Sequence, residues 1–359
     1  MSIHLHSTGD TLIDRYKVLN YIDEGGMQQV YKARDTIFGR DVALKVPKTA
    51  SAEKRFARSA TMSAKVIHAN VAQTLDYFEA GGKSYLIEEL IDGVTLWERL
   101  DKEFEILDPH LAAHLIHQLS KAIAASHHAG VFHRDLKPSN IMVSRDPGIR
   151  SIKVTDFGIA KMAEEEIAEA FKDKESTTGS QTVMGALPYM APEMIEDQSA
   201  ARLPADIWAV GALLYQLISG VLPFGRGLGA TKKILDALLP PKPALFGSKL
   251  QFQQLAEGLW AIVKTCLNKE PSKRPTADQL VQMCAKLCYS DAPRHTGTIV
   301  NFASGRGQFG RIDGDGMGQA FFHSDSYYGE KITVGRKVNF AAFPGYPHPR
   351  AFPILQLKE

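Results

Sequence analysis

The period of apolar and polar positions changes along the chain, and the changes divide it. Residues 1–13 are polar and irregular and are expected to form a flexible tail. From Tyr16 to Ile22 apolar and polar residues alternate, as in a half-buried strand. A further strand is predicted over Asp41–Val46, a helix over about 52–66, and strands over Val71–Phe78 and Ser84–Ile87. Asp108-Pro109 opens a long helix, with Asp as N-cap and Pro in the first turn. Leu111, Leu115, Leu119 and Ile123 follow four apart and make its apolar stripe. Ile141–Ser144 and Ile152–Thr155 read as short strands, and Ile207–Ile218 as a buried helix. After a linker at 290–295 the texture changes. Gly297–Phe302, Phe309–Ile312, Ala320–Phe322, Lys337–Phe340 and Phe352–Leu357 are short strands separated by Gly, Asp and Pro. Five such strands in succession predict a small closed barrel. The fold class is therefore α+β, with helices and strands mixed up to the linker and a five-stranded antiparallel barrel over 296–359.

Composition narrows this reading only a little. The 359 residues are 44% hydrophobic and 23% charged, with a formal net charge of +2, as in an ordinary globular protein. No apolar run approaches the roughly 20 residues that span a bilayer, and Met1–Asp10 lacks the basic and apolar regions of a signal peptide. A cytoplasmic protein without a membrane partner is expected. Three cysteines, Cys266, Cys284 and Cys288, do not make a disulfide framework and are read as buried thiols. His114 and His117 sit on the long helix, where a solvated face is a better reading than a metal site.

The chemistry concentrates at His133–Asn140, which reads H-R-D-L-K-P-S-N, and at Asp156-Phe157-Gly158. An Asp, a Lys and an Asn on one tight loop can orient a hydroxyl, neutralise a phosphate oxygen and ligate a metal. These two motifs, in this order, resemble the catalytic loop and the D-F-G of eukaryotic-type protein kinases. The resemblance covers about residues 14–289, with a small lobe over 14–91 and a large lobe over 92–289. It implies a serine/threonine kinase that uses ATP and Mg2+ and acts on protein substrates. Asp135 and Lys137 take the catalytic roles, and Asn140 and Asp156 hold the metal. Lys45, in V-A-L-K, takes the α- and β-phosphates. Gly25 belongs to the phosphate loop, and Val30, Ala43 and Met142 flank the adenine. The backbone of Glu89 and Ile91, in the hinge Glu88–Gly93, bonds its edge. Polar residues 163–183 resemble an activation segment, with Thr178, Ser180 and Thr182 as candidate autophosphorylation sites. Asp206 is implied as a tether of the catalytic loop, and Arg274 as the partner of Glu193 in A-P-E.

Five residues depart from the family pattern. Asp23 and Gln28 stand where the phosphate loop has glycines, and Ala186 replaces a threonine that steadies the catalytic Asp and Lys. Alignment back from His68-Ala-Asn-Val71 puts Ser59 where the family has the glutamate that pairs with the strand lysine. That predicts a weaker hold on Lys45. Glu88 falls at a position that is mostly apolar in the family, with no account from the sequence. The departures keep open an alternative, a pseudokinase scaffold without catalysis.

The tail resembles a cold-shock domain in Gly297–Phe302, Arg306–Ile312, Ala320–His323 and Val334–Phe340. The resemblance implies binding of single-stranded RNA or DNA on exposed aromatics. Phe302, Phe309, Phe321 and His323 are the stacking candidates. Residues 293–359 carry eight Lys and Arg against five Asp and Glu, a mildly basic balance. Asp313-Gly-Asp315-Gly lacks the closing glutamate of a calcium loop and reads as a turn.

Overall fold

The computed structural model describes residues 4–24, 28–157, 185–196, 203–305 and 307–358. Gly25, Thr178, Ser180 and Thr182 lie outside the described residues.

The small lobe is a six-stranded sheet of order β1-β2-β3-β4-β6-β5. Its strands are β1 (Thr11–Leu12), β2 (Tyr16–Glu24), β3 (Gln28–Asp35), β4 (Arg40–Pro47), β5 (Thr74–Ala80) and β6 (Lys83–Glu89). Alternation sends Tyr16, Val18, Tyr31, Ala33, Val42, Leu44, Tyr85 and Ile87 into one buried cluster. Helix α1 (Ala50–Ser63) covers the other face, packing Phe56 and Ala60 on Leu86. The strand predicted from Val71 starts at Thr74 instead. Val71 bridges Val154, and the Ala72 N–H donates to the Val154 carbonyl, so this stretch is drawn to the other lobe.

The N-terminal stretch is not a free tail. The Leu5 N–H lies 2.9 Å from both Gln29 Oε1 and the Tyr31 hydroxyl, and β1 pairs antiparallel with β2. His6 is inserted against the rings of Tyr31 and Tyr85.

The large lobe opens with β7 (Val94–Thr95) and α2 (Leu96–Lys102), which leads to α3 (Pro109–His128). Asp108 caps α3 as expected, accepting from the N–H groups of His110 and Leu111. Leu111, Leu115, Leu119 and Ile123 are all buried. Strands β8 (Ile141–Val143) and β9 (Ile152–Val154) join β7 in a three-stranded sheet. Helices α4 (Pro192–Glu196), α5 (Leu203–Ser219), α6 (Thr231–Leu235), α7 (Gln253–Cys266) and α8 (Ala277–Ala285) complete the lobe around Trp208. Cys266 and Cys284 are buried, but Cys288 is exposed. Among the described residues no helix is long and apolar enough to cross a membrane.

The C-terminal strands are β10 (Arg294–Ala303), β11 (Phe309–Gly314), β12 (Gly318–His323), β13 (Tyr327–Tyr328), β14 (Lys337–Phe343) and β15 (Arg350–Gln356). Their order is β12-β11-β10-β14-β15-β13, and a parallel pairing of Phe321 with Arg350 closes β12 onto β15. Ile299, Ile312, Phe322, Val338, Phe340 and Ile354 fill the barrel. Strand β10 starts within the stretch expected as linker, and the Ser290 N–H before it donates to His110 Nδ1.

The barrel is packed on the large lobe. Its Tyr328 and Leu355 belong to the same core as Trp208. Arg294 pairs with Asp108 at 2.7 Å, both side chains being enclosed, and its Nε donates to Asn339 Oδ1. The Asn339 amide in turn donates to the Pro147 carbonyl at 2.8 Å. Lys358 donates to the Leu100 carbonyl at the edge of α2.

Candidate active site

The catalytic loop is held from behind by helix α5. Buried Asp206 accepts the N–H of His133 at 2.9 Å and that of Arg134 at 2.8 Å, and contacts His127 Nε2 at 3.0 Å. Burial alone would raise the Asp206 carboxyl, but its hydrogen bonds and the nearby histidines hold it below the usual range. Arg134 takes a positive φ of 65°, a sharp local turn. His133 Nε2 contacts the Thr155 carbonyl at 2.9 Å, and its ring packs on buried Phe157. The loop and the D-F-G residues Asp156 and Phe157 are thus one assembly. On the other side of α5, Arg274 forms a two-pronged pair with Glu193 at 2.6 and 2.8 Å and lies over Trp208.

A continuous run of polar contacts crosses the cleft. Lys137 Nζ meets Asp135 Oδ2 at 2.8 Å. Asn140 donates to the Asp135 carbonyl at 2.7 Å and to its Oδ2 at 3.1 Å. The Asn140 carbonyl accepts from the Thr155 N–H, and the Thr155 hydroxyl reaches Asp156 Oδ2 at 3.2 Å. Asp156 Oδ1 accepts from Lys45 Nζ at 2.9 Å and from Gln28 Nε2 at 2.9 Å. Asp156 also has a positive φ, 62°.

Lys45 has a second carboxylate, Glu88, at 2.6 Å. This partner comes from the sheet. Strands β4 and β6 pair Ala43 with Glu88 and Lys45 with Leu86. Lys45 and Glu88 are therefore diagonal neighbours on one face, within reach of long side chains. Burial lifts the Glu88 carboxyl above its usual range, although Lys45 opposes this. Asp156 is only partly enclosed, and against that partial burial Lys45 and Gln28 hold it at about 2. One ammonium thus faces two carboxylates. Gln28 Oε1 is buried beside them and has no hydrogen-bond partner. An excess of anionic and carbonyl oxygens suits a hard divalent cation.

The remaining nucleotide-side candidates lie on β3, β4, β6 and β8 and just after β6. Val30 pairs with Lys45, and Ala43 is buried beneath. Met142 lies on β8 opposite Thr95. The Glu89 N–H donates to the Gln73 carbonyl, and the Glu89 carboxylate pairs with Lys153. Ile91 follows β6 in irregular backbone. A small cavity beside Asp135 is lined by Leu136, Ala186, Tyr189 and Met190.

The stretch from residue 16 to 284 matches the protein kinase domain family. The chain belongs to that family. The probable serine/threonine-protein kinase PknB of Lactococcus lactis is 34% identical over 222 residues, 60% of this chain and 33% of that protein. The serine/threonine-protein kinase pkn2 of Myxococcus xanthus is 29% identical over 346 residues, 94% of this chain and 40% of that protein. The chain spans roughly a third to a half of the length of the curated relatives it matches. The kinase fold also appears in two solved structures. Rad53 in complex with AMP-PNP aligns at TM-score 0.57 and 22% identity, over 75% of this chain and 64% of that one. The Mycobacterium tuberculosis PknI kinase domain aligns at 0.56 and 21%, over 79% and 99%.

On the barrel the kinase family match has ended, and the stacking candidates divide. Phe309, Phe321 and His323 meet on β11 and β12, Phe309 lying 5.1 Å from each of the other two rings. Arg350 sits over Phe321, and Phe309 is 45% exposed. Phe302 instead stacks on Phe322 and packs against the barrel core. Arg350, which sequence reasoning missed, reaches the cluster only through the closure of β12 onto β15.

Proposed function

We propose that the protein is a serine/threonine protein kinase that transfers the ATP γ-phosphoryl group to protein hydroxyls. The observation that carries this is the unbroken run of contacts from Lys45 through Asp156 and Asn140 to Asp135 and Lys137. Lys45, Asp135, Asn140 and Asp156, which would contact reactants or metal directly, are all present, and the departures lie mostly in supports. Asp135 orients the substrate hydroxyl and accepts its proton. Lys137, already beside Asp135, neutralises the transferring phosphoryl oxygens. Lys45 holds the α- and β-phosphates, with Val30, Ala43 and Met142 against the base and Glu89 and Ile91 at its edge. Asn140 and Asp156 would hold Mg2+, which when bound offsets the charge of the β- and γ-phosphates.

The test is incubation of the full chain with Mg2+ and labelled ATP, beside Asp135→Asn and Asp156→Ala. Incorporation by the wild type alone, at residues 176–182, is the expected result. No incorporation into the chain or a protein substrate would leave a nucleotide-binding scaffold as the reading.

The barrel's part in this proposal is to bind single-stranded nucleic acid. The cluster of Phe309, Phe321, His323 and Arg350 supports it, because exposed rings beside a guanidinium accept stacked bases. In the full chain, Phe309→Ala with Phe321→Ala should weaken oligonucleotide binding by ~1–3 kcal/mol per base lost. Equal affinity of wild type and variant for single-stranded RNA and DNA would refute it.

A further inference from the structure

A lysine ammonium on a flexible four-carbon stem serves a phosphate only when something fixes it. In protein kinases that is a glutamate on the helix beside the sheet, and the sequence has serine at the matching position, 59. We propose that Glu88 is the positioning residue for Lys45, so that the phosphate clamp is built within the sheet and does not depend on helix α1. The inference rests on the nucleotide-binding reading above and deepens it.

Three observations converge. The register of β4 against β6 makes the two side chains diagonal neighbours, and their charged ends lie 2.6 Å apart. Both are almost fully enclosed, 6% and 5% exposed, so the pair is shielded from water and salt. An acid at this depth is costly unless it is paired, and beside Leu86 and Ala43 on the same face an apolar side chain would sit more cheaply. Lys45 explains why a carboxylate is there. Asp156 also touches Lys45, but it is the proposed metal ligand and takes Gln28 as well. Glu88 is the carboxylate with no other proposed duty.

The placement separates two things that the family usually couples. A helix-borne glutamate makes the clamp depend on where the helix sits. Here β4 and β6 are adjacent hydrogen-bonded strands, and the clamp forms with the sheet.

The experiment compares the wild type with Glu88→Gln, which keeps the shape, and with Glu88→Met as a second variant. AMP-PNP with Mg2+ and adenosine are titrated separately by calorimetry. Lys45 acylation in the nucleotide-free protein is followed by mass spectrometry. Loss of the positioning carboxylate should weaken AMP-PNP at least fivefold, leave adenosine unchanged, and speed Lys45 acylation at least fivefold. A parallel loss for both ligands would assign Glu88 to the base or to the fold and overturn the proposal. So would unchanged AMP-PNP affinity with unchanged acylation. If the wild type itself binds neither ligand, the nucleotide reading fails, while the acylation rates still decide whether Glu88 holds Lys45.

Discussion

At the scale of single residues, the site is made of types that announce themselves and of pairings that do not. Asp206, Arg274 and Glu193 were legible because each stands in a motif whose partner is also a motif, and the structure joins them as the resemblance implied. Glu88 was not legible. Its meaning depends on strand register, which sequence period leaves open because the pairing partner is far along the chain. Gln28 is similar: as a missing glycine it counted against the phosphate loop, yet its amide donates to Asp156. Ala186 is the residue whose loss has the simplest remedy. It is buried and lines the small cavity beside Asp135, and Ala186→Thr would restore the hydroxyl of the family pattern there. One added hydrogen bond is worth ~0.5–1.5 kcal/mol. Steady-state kinetics should therefore show turnover raised roughly two- to tenfold, with little change in KM for ATP.

Among the elements, the start of α3 was readable to the residue, because its cap, its proline and its apolar stripe agree. The segment before β2 was misread for the opposite reason. It is short and polar, and its partners Gln29, Tyr31 and Tyr85 come later in the chain. His6 makes this docking sensitive to pH. Burial holds its imidazole below the ordinary value of 6.5, with Asp10 opposing and Lys83 reinforcing the shift. A lowered folded value means that the docked segment favours neutral His6. Its contribution is complete above about pH 6.5 and is lost as pH falls through the folded value. Amide exchange at residues 5–10, corrected for the intrinsic rate, should quicken as pH falls from 7 to 5, and His6→Phe should remove that dependence. The same element-level logic applies to the barrel junction. Arg294→Met would strip Asp108 of its buried counter-charge, a loss of about 3–5 kcal/mol for such pairs, and should lower the melting temperature of the full chain.

For the molecule as a whole, the sequence reading of a kinase region followed by an all-β region described the parts but not their attachment. Texture marks where one pattern ends; it carries no sign of which surfaces meet. The contacts involve single residues scattered through the barrel strands, Arg294, Tyr328, Asn339 and Leu355, with Lys358 just beyond the last strand. A chain cut after Tyr289 would uncover the apolar surface that Tyr328 and Leu355 occupy. Such a truncation should be less soluble and should melt lower than the full chain, as differential scanning fluorimetry would show. The shared core around Trp208 also sets how heat takes the protein apart. The small lobe has a core of its own, whereas the barrel and the large lobe are joined through Tyr328 and Leu355. In scanning calorimetry the barrel and the large lobe should therefore absorb heat as one cooperative unit, with the small lobe free to melt apart from them. The thermodynamic seam then falls near the hinge at Ile91, not at the linker where the composition changes.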